Sequence, residues 1–66
     1  MIVYNRLWET MKKRGVSQYR LIQYYRVSPA QITRLKRNQN VNTHTIDLLC
    51  KILNCEVEDV MEHIED

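Results

Sequence analysis

Two short stretches of helical periodicity stand three residues apart, and the second opens on the one proline in the chain. From Ser17 to Tyr25, the residues Leu21, Tyr24 and Tyr25 share a side; from Ser28 to Arg37, Ile32 and Leu35 lie three apart and hence on one face. Ser28 followed by Pro29 reads as an N-cap and a first helical position, where a missing N–H costs nothing and the fixed φ already suits a helix. Because the link Tyr25-Arg26-Val27 is so short, the second helix must cross the first steeply, which is helix-turn-helix geometry. Leu21, Val27, Ile32 and Leu35 supply the apolar anchors such a pair needs, and they leave the start of the second helix protruding.

The rest of the chain also reads as helix. Asn5 to Arg14 carries Tyr4, Leu7, Trp8 and Met11 on one stripe and ends at Gly15. After a polar connector in which Val41 plugs the core, Thr43 caps a fourth helix with Ile46, Leu49, Cys50 and Leu53 at i, i+3, i+4 and i+7. Glu58 to about Ile64 gives a fifth, with Val57, Val60, Met61 and Ile64 apolar. The expectation is an all-α fold of five helices in one domain, residues 1–66, with the helix-turn-helix at about 17–37. One Gly, one Pro and no Phe argue against a sheet of tight turns. Sixty-six residues bury one modest core and cannot wall a substrate cleft between two layers. Without an apolar span of membrane length or a signal-peptide layout, the expected location is cytoplasmic and membrane binding is not expected.

Charge is unevenly placed. Residues 1–40 hold nine bases against Glu9 alone, a net of +8, whereas residues 41–66 hold Lys51 against seven acids, a net of −6. A positive half on a small domain is the footprint of a phosphate-backbone binder, and the acidic half fixes its orientation. No catalytic set emerges, because neither His44 nor His63 has a nucleophile or carboxylate at a telling spacing. Cys50, Cys55, His44 and His63 match no zinc-finger spacing, so no metal or other cofactor is expected and Cys50 is taken as a buried apolar residue.

From Val16 to Val60 the chain resembles the Cro and lambda-repressor type helix-turn-helix proteins, the XRE family, and within it a small bacterial subgroup. Ser17-Gln18 opens the first helix of the pair, Leu21 anchors it, Val27-Ser28 precede the second, and Ile32-Thr33-Arg34-Leu35 lie within it. The resemblance implies a bacterial or mobile-element transcriptional regulator, a repressor before an activator, that reads double-stranded DNA with the second helix in the major groove. Gln18 would bond a phosphate, with Tyr19 as a further phosphate donor. Pro29, Ala30 and Arg34 would face base edges, Arg34 as a bidentate partner of guanine and Ala30 or Pro29 against a thymine methyl. Ser28 caps this helix at the interface, Gln31 and Thr33 would sit at the groove wall, and Arg37, Asn38 and Asn40 would hold phosphates.

The chain departs from the family pattern where a turn glycine is expected, with Arg26 in its place, and where a glycine would end the second helix, with Asn38 there. A homodimer on a palindromic operator is expected, half-sites ~34 Å apart, through the Val60–Ile64 helix or an N-terminal MIVY strand. The rival function is a protein-interaction module, such as an antitoxin, for which DNA binding is secondary.

Overall fold

The computed structural model describes residues 1–66. Its helices are α1 (Asn5–Arg14), α2 (Gln18–Gln23), α3 (Pro29–Lys36) and α4 (Thr43–Leu53), followed by one 3-10 turn at Val57–Asp59. Two short strands, β1 (Ile2–Val3) and β2 (Glu62–His63), pair antiparallel, Ile2 opposite His63 and Val3 opposite Glu62. No helix is long and apolar enough to cross a membrane.

Each α-helix is followed, within three residues of its end, by a left-handed residue: Gly15 (φ 68°), Arg26 (φ 63°), Asn38 (φ 54°) and Asn54 (φ 50°). Just beyond each stop, an N–H turns back into the helix. Val16 donates to the Met11 carbonyl at 3.0 Å, Val27 to Leu21 at 2.8 Å, Gln39 to Arg34 at 2.8 Å and Cys55 to Cys50 at 3.1 Å. These bonds satisfy carbonyls that a helix end otherwise leaves unpaired. Glycine adopts this backbone freely and asparagine tolerates it; for Arg26, the Cβ crowds the following carbonyl, at about 1–2 kcal/mol.

The core takes something from every helix. Leu7 and Met11 come from α1, Leu21 from α2, Ile32 and Leu35 from α3, and Ile46, Leu49 and Leu53 from α4. Tyr4, Val27 in the α2–α3 turn and Val60 complete the cluster, with Trp8, Tyr25 and Val41 packed partly buried against it. Both cysteines are half-buried at its edge.

The fold is therefore mostly helical with four helices, and the expected fifth is replaced by the 3-10 turn and β2. Val57, Val60, Met61 and Ile64 fit a helical period, but the backbone of Ile2 and Val3 needs a partner and residues 62–63 supply it. Tertiary pairing overrides the local pattern. The turn is tied from both directions: the Glu56 N–H donates to Asp59 Oδ2 at 3.0 Å, and Thr10 Oγ1 donates to the Asp59 carbonyl at 2.8 Å. Consequently the MIVY strand pairs within its own chain, and residues 60–64 offer no helix to a second copy.

Two smaller expectations also change. Asn42, not Thr43, caps α4, its Oδ1 accepting the Thr45 N–H at 2.9 Å. α2 ends at Gln23, so Tyr24 leaves the helical period and is 69% exposed instead of packing inward. Its ring stands edge-on to Tyr25 at 4.8 Å, with the Arg20 guanidinium 5.4 Å away.

Candidate nucleic-acid interface

α3 is built to be held from within and left open outside. Ser28 Oγ accepts the Ala30 N–H at 3.2 Å and Pro29 takes the first helical position, so the helix begins without an unmet donor at Pro29. Ile32 and Leu35 are its buried residues, fixing it to the core by one narrow stripe. Ser28, Pro29, Ala30, Thr33, Arg34, Lys36 and Arg37 are all exposed. α2 precedes it, with Ser17 Oγ accepting the Arg20 N–H at 3.1 Å, Gln18 half-buried and Tyr19 exposed.

The electrostatics of this surface follow from what is missing. Between Thr10 and Ile46 the sequence contains no acidic residue. All three ion pairs lie elsewhere, joining the N-terminus to Asp66, Arg6 to Glu62, and Lys51 to Asp47. Arg20, Arg26, Arg34, Lys36 and Arg37 thus face solvent with no carboxylate partner, a concentrated positive field suited to a polyanion.

Not every predicted site residue is equally free. The Thr33 hydroxyl donates back to the Pro29 carbonyl at 3.1 Å, leaving its oxygen able to accept. Gln31 is half-buried, its Oε1 lying 3.3 Å from the hydroxyl of buried Thr45, so it fastens α3 to α4 with its amide end still unspent. Asn38 Oδ1 accepts the Tyr4 N–H at 3.0 Å, and the neighbouring Gln39 carbonyl accepts the Tyr4 hydroxyl at 3.0 Å. Asn40 is exposed beside them.

Sequence reasoning missed this clamp, and it missed Thr45 as the buried partner of Gln31. Periodicity marks Tyr4 as apolar and says nothing of its hydroxyl, and bonds between residues 34 apart leave no local signal. The arrangement fixes both ends of α3: Ser28 at its start, Tyr4 on the two residues beyond its C-cap.

The remaining reactive groups lie away from this surface. Burial, chiefly, pushes the thiol of Cys50 up from its ordinary 9.0, and that of Cys55 to about 11, where the charges of Cys50 and Asp59 add to it. At neutral pH both stay protonated, the inert form. His44 and His63 are exposed.

Comparison with known proteins agrees with this geometry. The crystal structure of the transcriptional regulator VanUg superposes with a TM-score of 0.88 at 28% identity, covering 98% of this chain and 87% of that one. No curated protein sequence matches. The family model for the Cro/C1-type helix-turn-helix DNA-binding domain matches residues 6–66, nearly the whole chain, with α2 and α3 inside it. The chain belongs to the family of Cro/C1-type helix-turn-helix DNA-binding domains.

Proposed function

We propose that this chain is a transcriptional regulator that binds a specific double-stranded DNA site, with α3 in the major groove and α2 across the backbone. The observation that carries this reading is the exposed, acid-free surface of α2 and α3, whose five bases lack any carboxylate partner. Arg34, on the exposed side of α3, is the bidentate reader of guanine, and Pro29 and Ala30 present apolar surface to a thymine methyl. Gln18, Tyr19, Arg37 and Asn40 hold phosphates; Asn38 contributes its free amide N–H groups, since its Oδ1 is taken by Tyr4. Gln31 and Thr33 line the groove wall, the first with its amide donors and the second with its hydroxyl oxygen.

Repression by occupancy needs only the DNA-contacting surface, and it is the mode proposed here, in the cytoplasm and without catalysis. A homodimer on a palindrome doubles the few contacts one module makes. Selection from random duplex DNA at physiological salt tests the whole reading. The expected result is a palindrome whose binding weakens steeply with salt. Failure to select any site, together with tight capture of a protein partner, would instead make the chain an antitoxin-like interaction module.

A further inference from the structure

A concave groove of about 460 Å³ runs between β1, the loop from α3 to α4, the first half of α4 and the 3-10 turn. Its walls are mainly apolar, including Ile2, Val41, Ile46, Val57 and Met61, and its one charged lining group is Asp47. We propose that this groove binds a small amine with an apolar or aromatic body, and that the bound amine acts as an effector on α3.

Size, chemistry and charge point the same way. The volume falls within the ~300–1,000 Å³ of small-molecule sites, which are likewise apolar with a few polar groups that set orientation. Ten residues line the groove, fewer than the roughly 20–30 that each partner brings to a stable protein interface. Asp47 is the wall's only ionic group, and its 3.1 Å pair with exposed Lys51 is of the weak surface kind that an incoming ammonium displaces readily. Residues 41–66, which supply seven of the ten lining residues, carry seven acids, three of them ion-paired, and one base, a balance that favours a cation over an anion on this side of the chain. A second copy turned onto the same groove would set two such acidic regions against each other.

The effector role rests on the reading of α3 as the DNA-contacting helix. Tyr4, a wall residue, holds Asn38 and Gln39 just past that helix through two bonds of 3.0 Å, and Asn40 and Val41 continue from there into the wall. A body seated against Tyr4 and Val41 therefore presses on the clamp that stops α3.

The probe is 4-phenylbutylamine, titrated into the full chain while the methyl resonances of Ile2, Ile46, Val57 and Met61 are followed by NMR. Saturable shifts are expected with the amine, weaker ones with 4-phenylbutan-1-ol and none with 4-phenylbutyrate. Asp47→Asn, an exposed and fold-neutral change, should weaken the amine about ten-fold, the scale of one lost charge-assisted bond, and leave the alcohol unchanged. Absent shifts, an acid that binds as well as the amine, or an indifferent Asp47→Asn would overturn the site. Shifts produced by protein concentration alone would assign the groove to a second copy. At a selected DNA site, saturating amine should change affinity about five-fold or more; no change would overturn the effector role. The methyl titration needs no DNA, so the groove is judged even if the DNA reading fails.

Discussion

α3 and α4 are both amphipathic, both capped by a polar side chain and both packed on the same core, yet they divide their surfaces in opposite ways. α4 buries Thr45, Ile46, Leu49 and Leu53 over eleven residues, whereas α3 buries only Ile32 and Leu35 over eight. The outer face of α4 carries the neutralised pair Asp47–Lys51, while that of α3 carries Arg34 and Lys36 unpaired. One helix spends its side chains on the fold, and the other borrows its stability from neighbours so that its own side chains stay available.

Because the two helices divide their surfaces this way, substitutions on them should fail differently. Leu49→Ala, at a site with no exposure, should destabilise by about 2–5 kcal/mol, enough to unfold much of so small a domain. Chemical denaturation measures this, and a loss under 1 kcal/mol would mean that α4 is not the structural helix. Arg34→Ala should leave denaturation nearly unchanged while removing about 1–3 kcal/mol of discrimination at one guanine. Competition between the selected site and single-base variants reads it out; a loss spread evenly over all sequences would reduce Arg34 to a phosphate contact.

Arg26, at the turn leading into α3, tests the comparison more finely. Arg26→Gly relieves the left-handed strain but loosens the unfolded chain, for a net gain of about 0.5–1 kcal/mol and a Tm higher by a few degrees. The same change should lower the salt slope of DNA binding by about 1, with Arg26→Lys retaining the slope. A stabilised variant with an unaltered slope would show that Arg26 serves neither fold nor DNA.

The smallest effect is expected at the edge of the core. Folding holds the Cys55 proton more tightly than the unfolded chain does, so this contribution is complete below pH 9 and is lost as pH rises toward about 11. Denaturation across that window should show a steeper decline in the parent than in Cys55→Val; parallel curves would refute it.

The helix-turn-helix was legible because its signals are local: Ser28-Pro29, a three-residue link and anchors at helical spacing. The left-handed Asn38 was legible too, since asparagine stands where that backbone favours it. What escaped was long-range. Val57 to Ile64 obeys a helical period, and only the presence of Ile2–Val3 turns its end into a strand. Tyr24 was misplaced because α2 stops two residues early, and Tyr4 and Thr45 hid polar functions behind an apolar or neutral pattern.

The four left-handed stops bear on rates as well as on shape. α3 is begun by Ser28, halted at Asn38 and held there by Tyr4, so its two ends are set in the free chain. Little ordering remains to be done on the duplex, and association reduces to finding the right orientation under electrostatic attraction. The expected kinetic signature is a single fast phase whose rate falls with salt, with differences between DNA sequences expressed in how long the complex lasts.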